Sequence, residues 1–91
     1  MRRAAKRDAN EGEIIAALEA VGARVFRVSD GHFPDLAVLY GGRWHLLEVK
    51  AAGGTLTPGQ VAFVASVEKA GGRVHVVRTG EEAVAAVRGE A

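Results

Sequence analysis

The chain has no cysteine, one methionine, one tryptophan and only two prolines in 91 residues. Without cysteine there is neither a disulfide framework nor a thiolate zinc site. Aromatic residues make up 5% of the chain, so little of its core can come from large rings. No apolar run approaches the roughly 18 residues of a membrane span, so no membrane partner is expected. The first residues carry charge where a signal peptide needs an apolar centre. A cytoplasmic protein is the expectation. An excess of charge is also missing: the net charge is +1, and the total does not announce a nucleic-acid binder. What remains, 48% hydrophobic and 25% charged, is the composition of a globular domain. Its length is near the lower end of what folds alone, which makes oligomerisation a reasonable way to add core.

Charge is uneven along the chain. Arg2, Arg3, Lys6 and Arg7 put four cations into the first seven residues. Residues 1–9 therefore read as a basic arm, either tracking nucleic-acid phosphates or acting as a solubilising tail, and residues 10–91 as one domain.

Along that domain, Asp8 or Asn10 can cap a helix reaching about Val21, with Gly22 as its stop and Ile14, Ile15, Leu18 and Val21 on one face. Arg24 to Ser29 reads as a strand. Phe33 to Tyr40 and Arg43 to Ala51 read as two more, joined by the turn signal Gly41-Gly42. Thr57-Pro58-Gly59-Gln60 is a helix start with the pattern of a capping box. That helix closes at Gly71-Gly72. Arg73 to Arg78 is the next strand, and Thr79 caps a last helix over Glu81 to Arg88. The order is α-β-β-β-α-β-α, an α/β fold. A helix between the last two strands implies a crossover, so those strands should be parallel.

Two kinds of residue sit oddly in this pattern. Side chains two apart on a strand share a face, so Glu48 and Lys50 form a charged pair on a strand otherwise built for a core. Burying it is costly unless something compensates the charge. If the second and third strands pair antiparallel, Asp35 comes to the same end as Glu48 and Lys50. Glu11 projects from the apolar stripe of the first helix, three, four and seven residues before Ile14, Ile15 and Leu18. Acids in a first turn also suit the helix dipole, so both readings of Glu11 stand. Gln60 likewise has two compatible roles, as capping residue and as an amide approaching the strand ends. Three carboxylates with an ammonium suit Mg2+ or Mn2+, which bind through one or two protein carboxylates plus waters and substrate phosphates. Such a site suits phosphodiester hydrolysis.

Pro34-Asp35 followed twelve residues later by Leu47-Glu48-Val49-Lys50 resembles the signature of the PD-(D/E)XK nuclease superfamily. More narrowly, PDLAVLY, HLLEVK and LTPGQVAF resemble small stand-alone VRR-NUC domains, and the spacing of Glu11, Asp35, Glu48 and Lys50 is similar to that of archaeal Holliday-junction resolvases. The resemblance implies a restriction-endonuclease-like core with a mixed central sheet flanked by helices. It implies a catalytic set of Asp35, Glu48, Lys50 and Gln60, with Mg2+ or Mn2+ held by Asp35, Glu48, the Val49 carbonyl and Glu11. It also implies a homodimer acting on DNA, branched DNA included. One departure is local: His32 and Phe33 separate Gly31 from Pro34, where the family commonly places glycine at or one residue before Pro-Asp. His32 reads first as an exposed loop residue, with a phosphate contact as the alternative, and His45 and His75 have no metal-ligand spacing. The alternatives are a nuclease for flaps, single strands or RNA, and a nucleic-acid-binding module without catalysis.

Overall fold

The computed structural model describes residues 9–90. The basic cluster Arg2, Arg3, Lys6 and Arg7 and the alternative helix cap Asp8 lie outside them. The element order is α1 (Glu11–Ala20), β1 (Arg24–Arg27), β2 (Leu36–Tyr40), β3 (Arg43–Val49), α2 (Pro58–Lys69), β4 (Val74–Val77) and α3 (Gly80–Arg88). This is the order expected from the sequence. The strands form one mixed sheet in the order β1-β2-β3-β4, antiparallel through β3 and parallel between β3 and β4.

The local causes are simple. Gly41 and Gly42 both take positive φ (61° and 76°), the conformation a two-residue hairpin needs to match strand twist. That turn fixes the register Tyr40↔Arg43 through Leu36↔Leu47. Thr57 and Gln60 form the expected capping box at the start of α2, and Thr79 accepts from the Glu82 amide at the start of α3. The strand expected from Phe33 begins instead at Leu36. Pro34 has no amide hydrogen to give a ladder, and the Asp35 carboxylate turns to β3. The Asp35 carbonyl still accepts from the Val28 amide at 2.8 Å, so the chain enters the sheet in register.

The two faces of the sheet differ. Ile14 and Leu18 from α1, Ala83, Ala86 and Val87 from α3, and Leu36, Val38, Leu47, Val49 and Val77 from the sheet form one buried cluster. Strand alternation turns Asp35, Ala37, Trp44, Leu46 and Glu48 the other way, toward α2. No residue of α2 is fully buried. Phe26, Trp44, Phe33 and Val61 remain exposed. The edges are β1 and β4, four residues each, and β1 has an arginine at each end.

Asn10 departs from expectation in an informative way. It occupies the N-cap position of α1 without a side-chain cap. Its amide instead donates to the Lys50 carbonyl at 3.1 Å and the Arg78 carbonyl at 2.7 Å. The helix start is thereby tied to the chain just beyond the ends of β3 and β4.

α1 and α3 touch through small residues: a Cβ on Gly80 would stand 2.7 Å from the Ala17 Cβ. Gly80→Ala would ordinarily favour a helix by about 1 kcal/mol. Overpacking at this contact, about 1–3 kcal/mol, should outweigh that gain. Chemical denaturation should therefore find Gly80→Ala destabilising, and less so in an Ala17→Gly background. Additive effects of the two substitutions would show that the helices do not meet here.

Candidate functional site

The site is built where β3 ends beside the loop that enters β2. The Asp35 side chain crosses to β3, and its Oδ2 accepts from the Val49 amide at 2.8 Å. Glu48, one residue earlier on the α2 face, is 4% exposed. Burial first, then the charge of Asp35 and a hydrogen bond shared with it, push the Glu48 carboxyl up from 4.5 to about 7. The Lys50 charge acts in the opposite direction and does not cancel these effects. A buried acid is thus held in contact with a half-buried one.

Gln60 organises the remaining charges. Its Nε2 donates to Glu48 Oε2 at 2.9 Å, while its Oε1 accepts from Lys50 Nζ at 2.8 Å and from the Thr57 amide at 3.0 Å. One side chain therefore caps α2, holds the acid and aims the ammonium, so the two roles considered for Gln60 are both filled. Lys50 Nζ is 3.6 Å from Glu48 Oε2, with its side chain only 15% exposed. Directly before Gln60, Gly59 presses against the His32 imidazole, and any Cβ there would collide with the ring. His32 is thus an exposed residue leaning on the first turn of α2 beside the site.

The structure brings Asp35, Glu48, Lys50 and Gln60 together, with Val49 between the acid and the lysine. Glu11 is not gathered into that group. It is buried on α1, and its Oε1 lies 3.8 Å from Arg27 Nε. Among the described residues no three His, Cys, Asp or Glu side chains form a group able to hold a metal ion. The direct carboxylate donors are therefore Asp35 and Glu48. Two hard oxygen donors in repulsive contact fit Mg2+ or Mn2+, ions that keep several waters and take further ligands from phosphates. They do not fit a closed site of four protein ligands.

Sequence reasoning missed a second polar grouping. Arg43 and His45 on β3, and Arg73 and His75 at β4, lie on one face of the sheet at the end away from Glu48. The signal was available: Arg-x-His occurs at 43–45 and again at 73–75, on strands expected to be parallel neighbours.

No protein-family model matches the sequence, and no curated protein matches it. A solved structure described as a VRR_NUC domain shares the fold, with a TM-score of 0.72 and 24% identity over 89% of this chain and 97% of that one.

A carboxyl whose pKa rises on folding makes stability depend on pH. Between about pH 4.5 and 7 the folded chain keeps a proton on Glu48 that the unfolded chain has lost, so this group's contribution falls as pH rises through that window. In chelator, Glu48→Gln should be more stable than the parent at pH values above 7, by on the order of 3 kcal/mol. The two proteins should converge toward about pH 4.5. Urea unfolding across that range checks it; a pH-independent difference would mean the two acids do not repel in the folded protein.

Proposed function

We propose that this chain is a metal-dependent nuclease that hydrolyses DNA phosphodiester bonds, selective for branched structures and acting as a homodimer. One observation carries the reading: a buried Glu48 paired with a half-buried Asp35, with Lys50 oriented by Gln60, sits at the strand end of a fold shared with a VRR_NUC domain.

Asp35, Glu48 and the Val49 carbonyl would hold Mg2+ or Mn2+, without Glu11, whose carboxylate faces Arg27. When bound, the cation lowers the pKa of a bound water and offsets charge on a phosphoryl oxygen. The chain's own residues do the rest. The Val49 amide fixes the Asp35 carboxylate on one oxygen, and the Gln60 amide fixes that of Glu48. Both acids are therefore preorganised before substrate arrives. Lys50 is held by Gln60 with its charge available to the phosphate or to the attacking water. Repulsion between the acids favours a cation entering between them and disfavours an empty, fully ionised site.

The dimer reading draws on the exposed apolar residues Phe26, Trp44, Phe33 and Val61 and on an α2 without a fully buried side chain. A second copy of this small chain covering that surface would supply the core that one copy lacks. It would also hold two sites at fixed spacing, as cutting two strands of a junction requires.

Cleavage of labelled four-way junction, flap, duplex and single-stranded substrates with Mg2+ or Mn2+ tests the activity. Asp35→Ala and Lys50→Ala should each lower kcat by at least about 100-fold while leaving the fold intact. Undiminished cleavage by both variants would overturn the site. Binding to these substrates without cleavage by the parent protein under either metal would favour a binding module. In thermal unfolding, Mg2+ should raise the Tm of the parent and not that of Asp35→Asn, a readout independent of turnover. Sedimentation should give twice the mass of one chain, and Trp44→Ser with Phe26→Ser should give a single copy.

A further inference from the structure

At the end of the sheet opposite Glu48, a cleft of about 600 Å³ opens between the N-terminal ends of β3 and β4 and the C-terminal end of α3. Ala86 and Val87 contribute buried apolar lining, and three arginines stand on the polar rim: Arg43 from β3, Arg73 before β4 and Arg88 from α3. One carboxylate, Glu90, also lines it. Glu90 bears on Arg88, which is more strongly engaged by a hydrogen bond with Tyr40. Neither Arg43 nor Arg73 has an ion-pair partner among the described residues.

Two further observations point inward. His45 Nε2 is buried without a hydrogen-bond partner, an uncommon and costly state for a polar atom beside an open cleft. The His75 imidazole is held below the ordinary histidine range by burial, then by the charge of Arg73, then by His45. Arg43 and Arg73 thus add positive charge beside two imidazoles, and neither is paired with Glu90.

We propose that this cleft is an anion site for phosphate groups, separate from the Asp35–Glu48 centre. Arg43 and Arg73 supply the forked donors that phosphate accepts in pairs, and the orphaned His45 nitrogen supplies a third contact. His45 stands three residues, or about 10 Å, before Glu48 along β3 and on the opposite face of the sheet. A phosphate bound in the cleft is therefore not the one reacting at Glu48. The proposal does not depend on nuclease activity. Its phosphate can come from a nucleic-acid backbone passing over this end of the sheet or from a small phosphorylated molecule.

Binding in chelator tests it, because cleavage is then silent. Inorganic pyrophosphate added to the full chain should shift the imidazole NMR signals of His45 and His75. The double variant Arg43→Ala with Arg73→Ala should bind pyrophosphate at least ten-fold more weakly, with an unchanged Tm, since both arginines are exposed and unpaired. A short DNA duplex in the same buffer separates the sources. If nucleic acid is the source, the double variant should lose affinity, and its log–log salt slope should fall by about 2, the value for two lost phosphate contacts. Weakened pyrophosphate binding with unaltered duplex binding would assign the cleft to a small phosphorylated molecule. Silent histidine signals in the parent protein, or pyrophosphate and duplex affinities that both survive the double substitution, would overturn the site.

Discussion

The arrangement of the candidate centre depends on how one amide, Gln60, divides its hydrogen bonds. Its nitrogen serves an acid on β3, while its oxygen serves the lysine that follows β3 and the first amide at the start of its own helix. α2 has little else to hold it, because none of its twelve residues is fully buried, although Phe63 meets Phe33 edge to face. A helix anchored by packing alone would have freedom to slide along the sheet. Here polar bonds at its first turn set its position, and the same bonds orient the charged groups. Positioning of the helix and preorganisation of the site are one event.

Stability and chemistry are otherwise kept apart by the sheet. The face covered by α1 and α3 collects the buried aliphatic side chains, and the face toward α2 carries Asp35 and Glu48. This separation lets the second face tolerate a carboxylate contact that would be ruinous within the main core. The two layers are joined at one point by Asn10, which leaves its helix uncapped in order to bind the carbonyls of Lys50 and Arg78. The backbone beside the lysine is thus held from the far side of the sheet, while the lysine side chain is held from the near side.

Much of this was legible in the sequence because the local signals agreed with the topology. Gly41-Gly42 gave the hairpin and its register, Thr57 through Gln60 gave the start of α2, and the intervening helix made β4 parallel to β3. Asp35, Glu48 and Lys50 stood out because charge interrupted an apolar pattern. What escaped depended on tertiary choice. Asn10 has the chemistry of a cap, yet two orphan carbonyls brought near by the fold compete for its amide. Glu11 stood on the right stripe of its helix, but a stripe fixes only a direction, and the carboxylate meets Arg27. His45 and His75 are thirty residues apart and mean nothing singly; parallel pairing of Leu47 with His75 is what makes them neighbours.

The form of β1 matters for a chain that leaves Phe26 and Trp44 uncovered, their rings 5.8 Å apart. An open sheet edge invites another strand to add to it, and exposed aromatic residues nearby would strengthen such an addition. Here the edge offers only four residues, with Arg24 and Arg27 at its limits and the Arg24 guanidinium over the Phe26 ring. Incoming copies meet like charge at both ends of a ladder too short to compensate for it. The fold can therefore present a sticky face for orderly association while its β1 edge discourages growth into fibrils.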